Sequence, residues 1–197
     1  MYYFNQVEHG KVFGFIESRA TLDFQGSIIN PDKSKDIFFD VNIPVNIISS
    51  TGDACIDLNA SGRTYAYNEY TNSFYVTRGG SGSNITGISF HNTHILISNA
   101  SHVVLDKLHI ENDQRVSAGA TTFRANSTYI TFKNSYFYAT DNGGSAAFTL
   151  AWADYCTFDN YTFVGGVSVA NFVDWYTPIG LYGLTMQSRI NNYNNYL

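Results

Sequence analysis

A chain of 197 residues is long enough to bury a substantial core as a single domain. Charged residues make up only 14% of it, against 44% hydrophobic and 16% aromatic, and no window sustains a 3.6-residue apolar period. With a net charge of -5 and a pI near 5.4 it has no basic surface for a nucleic acid backbone, and no apolar run is long enough to span a membrane.

Taken in order, residues 1–37 contain no copy of the repeat that dominates the rest and are expected to form an N-terminal cap with an entry strand. The first five residues lack the charged-then-apolar layout of a signal peptide. The chain is therefore expected either to remain inside the cell or to be an excised piece of a longer exported protein. The segment from Leu22 to Ile28 alternates as a strand does, and residues 30–36 read as a polar turn.

A regular body is expected over residues 38–172, with an atypical tail over 173–197. Short strands are predicted from Ile37 to Val41, from Val45 to Ile48, from Ala54 to Leu58 and from Phe74 to Thr77. Polar turns separate them at 49–53 and 59–62. Residues 63–73 read as a tyrosine-rich excursion loop, and Gly79 to Ser83 as a tight or flexible turn.

Three later stretches are near-copies of one another. Tyr129-Ile-Thr-Phe-Lys-Asn-Ser-Tyr-Phe137 and Tyr155-Cys-Thr-Phe-Asp-Asn-Tyr-Thr-Phe163 agree position by position, and His102-Val-Val-Leu-Asp-Lys-Leu-His-Ile110 is a looser third. The copies open at His102, Tyr129 and Tyr155, and so near-constant a spacing marks stacked repeats. Ile88 to Ile95 fits the same template but begins too soon before the His102 copy to leave room for a full three-strand coil. Matching Ile85 with Val103 is an alternative register that would close one minimal turn.

Within a copy, Ile130, Phe132 and Phe137 are expected to point inward, with Thr131 and Lys133 outward. Asn134 and Asn160 are expected at a bend, satisfying backbone groups, with Asn160 inaccessible. Lys107 in the same slot suggests a changed bend. Cys156 replaces Val103 and Ile130, as a small buried hydrophobe would, and no Cys/His cluster has zinc spacing.

These features resemble the right-handed parallel β-helix, a solenoid, of the pectate-lyase-like superfamily. A nearer likeness is to methanogen (archaeal) adhesin-like surface proteins. It is carried by Val45-Asn-Ile-Ile-Ser-Ser-Thr51, Ser83-Asn-Ile-Thr-Gly-Ile88, His102-Val-Val-Leu-Asp106, Ala120-Thr-Thr-Phe-Arg-Ala-Asn-Ser127, Asp141-Asn-Gly-Gly144 and Trp152-Ala-Asp-Tyr-Cys-Thr-Phe-Asp-Asn160. The likeness covers residues 20–172. It implies a β-helical, all-β fold and a secreted, cell-surface location; a glycan or another cell is the expected partner, and no cofactor is expected.

β-helices of the lyase and hydrolase type carry catalytic residues where loops of adjacent coils converge. Here Asp113, Arg115, Arg124 and Asp141 would be those residues, and Ca²⁺ the cation that such carboxylates share. The ordinary reading of Asp113 and Asp141 is nevertheless a pair of solvated turn aspartates. Of the five histidines, His91, His94, His102 and His109 cluster within 91–109 without the spacing of a helical metal pair, and are expected on the outer surface. Tyr136, Tyr138 and Tyr161 are candidate glycan contacts at outward positions, alongside Tyr65, Tyr67, Tyr70 and Tyr155; stacked outward tyrosines also shield a sheet.

Five N-glycosylation sequons begin at Asn59, Asn84, Asn99, Asn126 and Asn160, with Asn84 and Asn99 the expected acceptors in an exported protein. The function expected is that of a non-enzymatic, adhesin-like surface module contacting a glycan or another cell surface, with a carbohydrate-active lyase or hydrolase and a purely structural stalk segment as the alternatives. The open ends of such a stack would allow end-to-end or lateral association.

Overall fold

The computed structural model describes residues 2–3, 17–29, 37–57, 73–91, 93–112, 123–139, 148–150, 155–165, 180–182 and 185–187. Among them there is no α-helix, only a single 3₁₀ turn at Arg78–Gly80. Within these residues eighteen strands account for almost all the regular structure, and every described strand pair is parallel.

The strands fall into three rows. The first holds β1 (Tyr2–Tyr3), β2 (Thr21–Asp23), β5 (Asn46–Ile48), β8 (Asn84–Thr86) and β11 (Val104–Asp106). The second holds β3 (Ile28–Ile29), β6 (Ala54–Asp57), β9 (Ile88–His91) and β12 (His109–Asn112). β14 (Thr131–Ala139) and β16 (Thr157–Gly165) each run through both rows and join them into one curled sheet. β17 (Gly180–Tyr182) and β18 (Thr185–Gln187) continue the first and second rows respectively. A five-stranded sheet made of β4 (Ile37–Val41), β7 (Ser73–Val76), β10 (His94–Ser101), β13 (Phe123–Thr128) and β15 (Phe148–Leu150) forms the third.

Like positions pair from one repeat to the next. Leu22, Ile47, Ile85, Leu105, Phe132 and Phe158 form one continuous register, and Ile29, Ile56, Phe90, Ile110 and Phe137 another. All are buried, and they meet Phe39, Phe74, Ile95 and Ile97 of the third row in a single core. Phe24, Phe39, Phe74 and Phe90 contact in succession across the rows, with ring centroids 5.3–5.6 Å apart. Offset and edge-on ring pairs of this kind add to the gain from apolar burial alone.

β2 and β3, in the segment expected as a cap with an entry strand, pair into the same rows, and β17 and β18 pair with β16 within the expected tail. Leu22 to Ile28 is two short strands around a turn, held by Ser27 N–H donating to the Phe24 carbonyl (3.0 Å). The Ile88 stretch is no copy of the His102 one. It is a second-row strand paired with β12, while Ile85 pairs with Leu105 and so closes one short repeat.

Corners are built from residues in left-handed backbone. His102, Tyr129 and Tyr155 (φ 54–56°) precede the first row, aligned with Gly82 (φ 80°). Lys107, Asn134 and Asn160 (φ 50–54°) stand between the first and second rows, aligned with Gly87 (φ 72°). Lys107 therefore keeps the bend of its neighbours instead of changing it.

That second corner resets the two-residue alternation, because a left-handed residue turns the chain without carrying the pleat forward. Phe158 points in, Asp159 and Asn160 point out, and Tyr161 points in again. The sequence expectation is corrected on two counts: Asn160 is exposed and Tyr161 is buried, 1% exposed, against Phe132 and Phe158. Burial pushes the Tyr161 phenol well above its ordinary pKa.

Buried hydroxyls complete the corners. Ser83 Oγ accepts from Val45 N–H (3.0 Å), Ser127 Oγ from Ala100 N–H (3.1 Å) and Ser135 Oγ from Leu108 N–H (3.0 Å). Each satisfies a backbone donor of the preceding repeat that the bend leaves without a ladder partner. Asp23 does similar work: burial opposes its charge, but the backbone N–H groups of Gln25 and Ser50 and the Ser50 hydroxyl hold its carboxyl below the usual range. Cys55 and Cys156 are thiols, and Cys156 is fully buried in line with Val103 and Ile130, as its place in the repeat suggests. Burial first, and the neighbouring Asp57 charge second, push the Cys55 thiol up to about 11.

Candidate outer-face site

The outer surface of the first and second rows carries two aromatic columns with a polar strip between them. At the first corner, His102, Tyr129 and Tyr155 project outward from successive repeats. Their ring centroids are 4.8 Å apart at each step, with planes within 7–10°. That is the spacing of neighbouring strands, so the parallel register itself sets the stack. Tyr129 and Tyr155 are 46% and 48% exposed. In the second row, His109 stacks on Tyr136 at 4.7 Å and 22°.

Between the columns lie Asp106, Lys133 and Asp159, paired in register and facing out, followed by Asn134 and Asn160. Asn160 Nδ2 donates to Asn134 Oδ1 (3.1 Å), and Asn134 Nδ2 donates to Asp106 Oδ1 (2.9 Å). These amides bond to one another along the stack, where sequence reasoning expects them to bond to the backbone. Lys133 Nζ lies 3.6 Å from Asp106 Oδ2 in a partly exposed pair that adds little stability. Further along the second row, His91 Nδ1 meets Asp57 Oδ1 (3.1 Å) and His109 Nε2 meets Glu111 Oε2 (3.2 Å).

The expected site residues fare differently. Tyr136 and Tyr138 are partly exposed in β14, with Tyr136 inside the second column, whereas buried Tyr161 has no outward face. Asp113, Arg115 and Asp141 lie outside the described residues, as do Tyr65, Tyr67 and Tyr70. Arg124 is placed by its backbone in β13, in register with Leu96 and Thr149. No group of three or more His, Cys, Asp or Glu among the described residues is arranged to hold a metal ion. The first aromatic column escapes a reading by alternation alone, because its members sit at a corner. The signal for it is the aligned His102, Tyr129 and Tyr155 that open the three copies.

Of the sequons, Asn99 is exposed at a bend in β10 (φ 54°), while Asn84 is half-buried and its Nδ2 donates to Asn46 Oδ1 (2.8 Å). Asn160 is exposed, contrary to expectation. Among the described residues no helix is long and apolar enough to cross a membrane. Comparisons with protein families, with curated proteins and with solved structures find no match to the chain.

Proposed function

We propose that the chain is a right-handed parallel β-helix of a cell-surface, adhesin-like protein, and that its outer face binds a glycan without catalysing a reaction. The three-row order supports the coil: the chain passes through each row and returns, in parallel, beside its own previous strand. Parallel crossover connections are overwhelmingly right-handed. The likeness to methanogen adhesin-like proteins supports the surface location.

One observation carries the binding function, namely the exposed, coplanar His102–Tyr129–Tyr155 column beside the Asp106–Asn134–Asn160 strip. Flat amphipathic rings next to amides and carboxylates suit a sugar, which offers apolar ring faces and many hydroxyls. Stacked rings cover each other's faces, so along the column a sugar meets ring edges and the polar strip, and it meets an open face only where the column ends.

Replacing both Tyr129 and Tyr155 by alanine is expected to weaken binding to the glycans recognised on an array at least tenfold. The melting temperature should stay within a few degrees, since both side chains are half exposed. Unchanged glycan binding in the double variant would refute the assignment of this face. Cleavage of a uronate polysaccharide by the wild-type protein would refute the absence of catalysis.

A further inference from the structure

The first aromatic column protrudes at one end and is recessed at the other. Counting two residues back from each first-row pairing partner, its positions in successive repeats are Tyr155, Tyr129, His102, Gly82, Pro44 and Arg19. The two tyrosines project half exposed, whereas a Cβ built on Gly82 would meet nothing within 4 Å. A cleft of about 270 Å³ opens there, lined by Gly82, Ser81, Pro44, Asn46, Asn84 and Arg19. Beside the column the polar strip alternates in sign from level to level, as Asp106, Lys133 and Asp159.

We propose that this face pairs with the same face of a second copy of the chain, about a two-fold axis that runs along the strand direction midway between the His102 and Tyr129 levels. Such an axis reverses the order of the levels and keeps each column opposite itself, so the contact is closed and every pair occurs twice. Tyr155 then lies opposite Gly82 of the second copy, Tyr129 opposite its His102, and Lys133 opposite its Asp106. The outermost ring meets the recess, and each ammonium meets a carboxylate.

Charge and shape select the same axis. Lys133 Nζ is 3.6 Å from Asp106 Oδ2 of its own chain, so in the pair two lysines and two aspartates form one network of alternating sign. An axis through either level would set Asp106 or Lys133 against its own copy. Moved one level toward Gly82, the axis would set Lys133 against Ile48; moved one level toward Tyr155, it would set Tyr129 against Tyr155.

The cleft also suits a phenol. Asn84 Nδ2 donates to Asn46 Oδ1 (2.8 Å), which leaves Asn84 Oδ1 to accept from the hydroxyl of an entering tyrosine. Pro44 offers an apolar ring surface, and Arg19 a guanidinium that packs favourably on an aromatic face. The pairing goes beyond the glycan reading and does not depend on it. A second copy covers the rings that a glycan would contact, so the two exclude each other.

Sedimentation velocity of the whole chain without glycan, over a hundredfold range of concentration, tests the pairing. The wild type should show a monomer–dimer equilibrium that weakens as salt rises. Lys133→Asp should weaken it at least tenfold, and Lys133→Asp combined with Asp106→Lys should recover most of it, since the swap keeps each lysine opposite an aspartate. Gly82→Tyr fills the cleft, in a left-handed backbone that tyrosine already adopts at Tyr129 and Tyr155, and Tyr155→Ala removes the ring that enters it. Each alone should weaken pairing at least tenfold. Mixed, these two variants should associate with one another more tightly than either does with itself, because the ring added to one faces the position vacated in the other.

A wild-type chain that stays monomeric at the highest concentration overturns the pairing. So does a dimer that the charge reversal leaves unchanged, or a mixture that associates no better than its separate components. Should Gly82→Tyr disturb folding by circular dichroism, the charge reversal and its rescue decide alone. A glycan bound by the intact dimer would also overturn the pairing, because it would leave this face uncovered. Glycan binding by the monomer is read separately on the array, so either proposal can fail while the other stands.

Discussion

Phe132→Ala is expected to cost about 3–5 kcal/mol of stability and to lower the melting temperature by about 10 °C. Phe132 is 1% exposed, lies parallel to Phe158 at 4.6 Å and 5°, and meets Tyr161 edge-on at 5.9 Å. Leu105 and Phe158 are its register partners on either side, so the vacated volume is walled by two repeats whose backbones are fixed by ladder hydrogen bonds. Such a site collapses poorly, which places the cost toward the upper end of large-to-small substitutions. Tyr129→Ala, three residues away but half exposed, should cost about 1 kcal/mol or less and serves as the control. Chemical denaturation of the two variants checks this; equal losses would mean that the inward column is not the source of stability.

Gly79→Ala should be nearly as damaging, at about 3 kcal/mol, the upper end of overpacking costs. A Cβ on Gly79 would overlap the Asn42 carbonyl oxygen, and one on Gly80 that of Val41. Both contacts are with backbone, so no side chain can swing away. The 3₁₀ turn at Arg78–Gly80 is thus pressed against the corner of the previous repeat, and Thr77 N–H donating to the Val41 carbonyl (3.1 Å) holds it there. The turn that sequence alone leaves as tight or flexible is tight. Gly82→Ala meets open space and bears only the strain of its positive φ, about 1 kcal/mol. A Gly79→Ala variant no less stable than Gly82→Ala would contradict the close approach.

Where the chain keeps its alternation, the sequence is a good guide. Ile130 and Phe132 are buried and Thr131 and Lys133 turn outward, as a period of two requires. Alternation carried straight through a left-handed corner fails, because the reset of the pleat leaves no compositional mark, although Phe137, read as part of a new strand after the bend, is buried as expected. Lysine serves at 107 and asparagine at 134 and 160, all in one backbone conformation. Alternation alone therefore places Tyr161 and Asn160 on the wrong sides.

The first aromatic column is half legible. Its upper members open near-identical copies, whereas the earlier repeats are of unequal length, their register partners falling at Thr21, Asn46, Asn84 and Val104. Only strand pairing reveals that Gly82, Pro44 and Arg19 belong to the same column. Of the carboxylates and arginines singled out by fold analogy, Asp113, Arg115 and Asp141 lie outside the described residues and Arg124 is placed by its backbone alone.

The central claim is that the chain is a stack of interchangeable repeats. Excision of one whole repeat tests it most directly. Deleting residues 129–154 joins Thr128 to Tyr155 and brings Thr157 into the register now held by Thr131, beside Val104. In a stack stabilised by nearest neighbours, this deletion should leave a cooperatively folded, less stable β protein. Deleting only residues 129–141, half a repeat, should abolish cooperative unfolding because every later inward side chain loses its column. If the two deletions behave alike by circular dichroism and urea denaturation, the repeats are not interchangeable units and the account is wrong.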